Sequence, residues 1–174
     1  RGGSDADQIY ANFVWQRDTS GGNARLLECA CEQTGSNGLD PHTLNLHGNL
    51  GLDTYEIGLA GEGSALINVS DQGSSLDNDR LRIYGTETGN DFFLFRPNTV
   101  IGYPRESASA GNAQATAVER VNYDSGTNSR IEVHGRGGDD MFVFDDTNAM
   151  IMANGDQGND VFQVGQLFNS PRDA

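Results

Sequence analysis

Lysine is absent from this chain: all 11 basic residues are arginine, against 25 acidic ones. The resulting formal charge of −14 repels nucleic acid and anionic membrane surfaces, so neither is an expected partner. Cysteine is nearly absent too. The two present, Cys29 and Cys31 in LLECACEQ, cannot build a disulfide framework, and a bridge between residues two apart is strained. Their alternation with Glu28, Ala30 and Glu32 is expected to turn both thiols to one face as small apolar groups, with a metal site as the weaker alternative because no nearby His or Cys completes a ligand set. No apolar run is long enough to cross a bilayer, which excludes insertion by a helix. No initiator methionine or signal peptide stands at Arg1, so a segment cut or processed from a longer chain is expected. No nucleophile turn, phosphate loop or H-E-x-x-H pattern occurs. Carboxylate pairs such as Asp139 with Asp140 and Asp145 with Asp146 are common by chance in so acidic a chain. No catalytic residue is assigned.

Glycine, by contrast, is abundant at 23 residues, and it is not scattered. NGDQGNDVFQVG, residues 154 to 165, runs a turn directly into alternating apolar positions at Phe162 and Val164. The pattern recurs. HGRGGDDMFVF has Gly135, Gly138 and Asp140 before Phe142; YGTETGNDFFLF has Gly85, Gly89 and Asp91 before Phe93. HGNLGLDTYEI has Gly48, Gly51 and Asp53 before Tyr55, and a degenerate copy opens the chain with Gly2, Asp7 and Ile9. In each copy an aspartate ends the turn and a large apolar residue follows two positions later. Period-two segments precede the turns (LNL, LRI, IEV, IMA), the signature of strands with one buried face, and no 3.6-residue stripe appears.

Strands entered repeatedly from the same kind of turn predict an all-β parallel β-solenoid (β-helix or β-roll) of about five irregular coils, with an antiparallel sandwich as the structural alternative. It would form a single segment over 1–174, with 97–117 as an inserted surface loop. Inward columns are expected through Tyr55, Phe93, Phe142 and Phe162, and through Leu46, Ile83, Val133 and Ala153. His47 and His134, each just before its turn's glycine, should line up on the outside with Tyr84 and Asn154.

GRGGDDMFV and GDQGNDVFQ resemble the hemolysin-type calcium-binding nonapeptides, the RTX repeats, in which G-G-x-G-x-D precedes x-U-x with U large and apolar. Arg136 and Asp156 stand where the pattern has its second glycine. The resemblance implies Ca²⁺ as cofactor, held between stacked turns, because one turn offers too few of the 6–8 oxygens this hard cation takes. The implied ligand set is Asp140 and Asp160 with Gly135, Gly137, Asp139, Gly155, Gln157 and Asn159, and next Asp91 and Asp53. It also implies a secreted or cell-surface location within a large bacterial protein. The function expected is a non-enzymatic, calcium-stabilised stalk, adhesin spacer or filament unit. Its partners would be neighbouring repeats, copies of itself end to end, or a cell-surface polysaccharide. The alternative is a polysaccharide-acting enzyme such as a lyase or epimerase, or the accessory module of one.

Overall fold

The computed structural model describes residues 2, 4–12, 42–59, 65–71, 78–104, 119–124 and 130–165. Cys29 and Cys31 lie outside them. Strands form where apolar residues alternate: β1 Gln8–Asn12, β2 His42–His47, β3 Thr54–Gly58, β4 Ala65–Ser70, β5 Arg80–Tyr84 and β6 Asp91–Arg96. β7 Thr99–Pro104, β8 Glu119–Tyr123, β9 Arg130–His134, β10 Met141–Phe144, β11 Ile151–Asn154 and β12 Val161–Val164 follow. No helix occurs among the described residues. A five-stranded sheet has the order β1-β3-β5-β9-β11, and a seven-stranded sheet the order β12-β10-β6-β7-β8-β4-β2.

The parallel β-solenoid is therefore corrected. The five-stranded sheet is wholly parallel, but the seven-stranded one is mixed, because β7 runs antiparallel to both β6 and β8. The cause is local. After β6 the chain meets Pro97 and Asn98, and Asn98 takes φ 59°, a left-handed conformation that asparagine tolerates better than most residues. The reversal sends the chain back beside β6 instead of across to the other sheet. Part of the expected 97–117 loop is thus a strand, and 105–117 lies outside the described residues. Among the described residues an antiparallel sandwich does not form either, since eight of the ten strand pairings there are parallel.

A second correction concerns the repeat itself. The turns at 85, 135 and 155 carry the chain from the parallel sheet to the mixed one (β5 to β6, β9 to β10, β11 to β12). The turn at 48 does the reverse, from β2 to β3. The copies are not equivalent, and the expected columns separate accordingly. Phe93, Phe142 and Phe162 are in register in the mixed sheet, whereas Tyr55 pairs with Ile9 and Leu81 in the parallel one. Ile83, Val133 and Ala153 are in register in the parallel sheet, while Leu46 lies opposite Val69 in the mixed sheet. Tyr84, His134 and Asn154 align as expected, but His47 sits in the mixed sheet against Ser70.

The core lies between the two sheets, where Tyr55, Ile57, Leu81, Ile83, Ile131 and Val133 meet Ile67, Phe93, Phe95, Val100, Val121 and Phe142. Phenylalanine rings stack along it: Phe93 on Phe142 at 5.0 Å and Phe142 on Phe162 at 4.8 Å. Phe93 and Phe142 are fully buried, and burying each of these two rings contributes about 1.5–3 kcal/mol. A smaller cluster of Phe92, Leu94 and Val143 occupies the other face of the mixed sheet, so the unbroken apolar run of β6 is buried on both sides.

Candidate functional site: two rows of turn aspartates

Each turn aspartate folds back over the first glycine of its own turn. A Cβ on Gly135 would collide with Asp140 Oδ2, one on Gly155 with Asp160 Oδ2, and one on Gly48 with Asp53 Oδ2. The glycine at the head of the motif therefore clears space for a carboxylate that returns to the turn. In Asp53, Asp140 and Asp160 the other oxygen accepts a backbone N–H from the adjacent turn. These bonds form two rows, one along each edge where the chain passes between the sheets.

In the first row Asp91 N donates to Asp140 Oδ1 at 2.8 Å, and Asp140 N donates to Asp160 Oδ1 at 3.0 Å. The turns of residues 135–140 and 155–160 lie against each other. Gly137 bridges Gln157, Gly138 N donates to Gln157 O at 3.0 Å, and Gln157 N donates to Arg136 O at 2.9 Å. Asp139 Oδ1 accepts from Asn159 N at 2.8 Å, and Gly135 N donates to Asn154 O at 2.8 Å. Nine of the ten expected ligand residues, from Gly135 to Asp140 and Gly155 to Asp160 with Asp91, thus come together on one edge. Arg136 and Asp156 adopt φ 73° and 65°, the left-handed geometry that glycine at that position usually supplies.

The bonding is incomplete at one atom. In the turn at 85, Asp91 Oδ2 accepts from Thr86 N at 2.7 Å and from Thr86 Oγ1 at 3.0 Å. In the turn at 135 the corresponding amide, Arg136 N, donates to Asp156 Oδ2 at 3.3 Å instead. Asp140 is fully buried, and its Oδ2 has no hydrogen-bond donor. Burial pushes the Asp140 carboxyl up to about 6, the Asp91 amide opposes this, and the charges of Asp91, Asp160 and Asp139 add to it.

Asp53, the tenth expected ligand, belongs to the second row with Asp7 and Asp79, so the two groups of aspartates are on opposite edges. Asp7 N donates to Asp53 Oδ1 and Asp53 N to Asp79 Oδ1, both at 2.8 Å. Asp71 approaches this row, its Oδ2 accepting from Tyr55 Oη at 2.8 Å while Tyr55 Oη accepts from Gly48 N at 2.7 Å. Burial, with Asp71 adding to it, pushes the Tyr55 hydroxyl well above the usual phenol range. Sequence reasoning missed Asp71 and Asp79. A signal existed for Asp79, which precedes Leu81 by two residues as Asp53 precedes Tyr55, but no glycine turn leads into it. Asp71 carries no such mark.

The chemistry available on both edges is that of hard, anionic oxygen, suited to protons and to cations such as Ca²⁺. Several of the described arginines are engaged elsewhere: Arg82 bridges Glu56 and Glu132 at 2.9 Å each, and Arg130 pairs with Glu132 at 2.9 Å. Arg136 pairs with Glu87 at 2.7 Å and lies 4.9 Å from the Tyr84 ring centroid. Comparison with family models, curated proteins and solved structures finds no match to this chain.

Proposed function

We propose that this chain is a non-catalytic structural module of a large secreted or surface-exposed protein, stabilised by Ca²⁺ at the stacked turns 135–140 and 155–160. The RTX-like pattern of those two turns supports the reading, and one observation carries it: the fully buried Asp140 Oδ2, which lacks a donor beside three further carboxylates. An anionic oxygen left in that position costs free energy. A dication between the turns would remove the cost and convert mutual repulsion of the row into attraction. Left-handed backbone at Arg136 and Asp156 supports the same reading, since it opens the turn and diverts the Arg136 amide from Asp140.

In this role the module would act as a spacer or filament unit, with neighbouring repeats, further copies or a surface polysaccharide as partners. The test is a calcium titration of chelator-treated protein followed by far-ultraviolet circular dichroism and thermal melting. A saturable rise in melting temperature with Ca²⁺, not reproduced by NaCl at equal ionic strength, is expected. A melting temperature indifferent to millimolar Ca²⁺ contradicts the reading.

A further inference from the structure

Away from the turns at 135 and 155, a second group of carboxylates converges below the surface. Asp53, Asp71 and Asp79 are 0 %, 4 % and 0 % exposed, and one oxygen from each lies within 4.8 Å of the others. Acid groups cluster often enough that proximity alone assigns nothing. The deciding observation is Asp53 Oδ2. It is fully buried and has no hydrogen-bond donor, although Asp53 Oδ1 is satisfied by the Asp7 amide. Asp71 and Asp79 both raise the Asp53 carboxyl, after burial itself. The donorless oxygen thus shares its pocket with two further carboxylates.

We propose that Asp53, Asp71 and Asp79 hold one hard divalent cation, at a site separate from the 135–160 turns. Three oxygens mutually within 4.8 Å leave a central point at most about 2.8 Å from each, close to the ~2.3–2.6 Å of calcium–oxygen bonds. Carboxylate-only ligation favours oxygen-seeking ions over zinc or copper. Tyr55 positions the site: its hydroxyl donates to Asp71 Oδ2 and is itself fixed by the Gly48 amide, which sets the Asp71 carboxylate. The three ligands come from the end of the turn after β2, the residue after β4 and the residue before β5. An ion there ties two crossings of one edge together, from β2 to β3 and from β4 to β5.

The test is isothermal titration of the chelator-treated full chain with CaCl₂, for wild type, Asp71→Asn, Asp79→Asn and the double variant Asp140→Asn/Asp160→Asn. Each asparagine retains an oxygen able to accept the hydrogen bond its aspartate accepts. Loss of one calcium equivalent in Asp71→Asn and Asp79→Asn, retained in the double variant, is expected. Equal stoichiometry in wild type and Asp71→Asn overturns the site, and a bound proton is then the occupant. If the double variant alone loses calcium, this proposal fails and the structural reading stands; if only the triad variants do, the reverse holds. Should the triad variants not fold, the unaltered protein decides. Tb³⁺ at this site must emit on tyrosine excitation because Tyr55 contacts Asp71 at 2.8 Å, and absence of that emission overturns the proposal.

Discussion

The smallest determinant of this fold is the pairing of a glycine with the aspartate that ends its turn. Because the Asp140 and Asp160 carboxylates occupy the space a Cβ would fill, Gly135→Ala and Gly155→Ala must displace a carboxylate that secures the adjacent turn. Each should cost about 1–3 kcal/mol in urea denaturation, by overpacking and loss of a buried hydrogen bond. Protonation acts at the same scale. Asp53 and Asp140, shifted from 3.8 to about 6, bind more protons folded than unfolded between those values. Their contribution to stability is therefore lost as pH rises through about 6, and it is recovered below about 4. In chelator, Asp140→Asn should stabilise the protein relative to wild type at about pH 7.5 and much less at about pH 4.5. Urea midpoints at the two pH values check this; a constant difference contradicts it. The aspartates themselves were legible in the sequence, because a fixed spacing from glycine to acid to apolar residue is a one-dimensional signal. The donorless oxygens were not, since they depend on which amide reaches which carboxylate.

Strands were legible for a similar reason: period-two alternation reports one buried face whatever the strand pairs with. β5 RLRIY and β9 RIEVH show it, with Leu81, Ile83, Ile131 and Val133 all buried. Strand direction is not encoded in that pattern, and the reversal at Asn98 was therefore invisible. So was the ladder in which Asn68 bonds Asn45 at 2.8 Å and Asn122 bonds Asn68 at 2.7 Å, because its members come from three distant segments. The phenylalanine stack gives a prediction at this scale. Phe142 is fully buried between Phe93 and Phe162, whereas Phe162 at the sheet edge is 50 % exposed. Phe142→Ala should cost about 3–5 kcal/mol, and Phe162→Ala well under half of that. Equal losses in chemical denaturation would show that the rings do not pack as described.

Across the whole molecule, turns that look alike in sequence serve two different edges. The copies at 85, 135 and 155 leave the parallel sheet; the copy at 48 enters it. A one-dimensional repeat cannot specify which sheet a turn departs from, and the single row of aspartates expected from it is in fact two. The consequence is that negative charge is concentrated on both edges, with a hydrophobic core between. Cation binding should then stabilise the molecule from its margins. At free Ca²⁺ tenfold above Kd each site adds ~1.4 kcal/mol. The measurement that bears most directly on this account is differential scanning calorimetry with and without Ca²⁺ on two double variants. Asp140→Asn/Asp160→Asn should lose the calcium-dependent part of thermal stability contributed by the 135–160 turns. Asp145→Asn/Asp146→Asn, altering a turn in which Asp145 pairs with Arg96 at 3.4 Å, should keep it. An equal calcium response in the two variants would contradict the account.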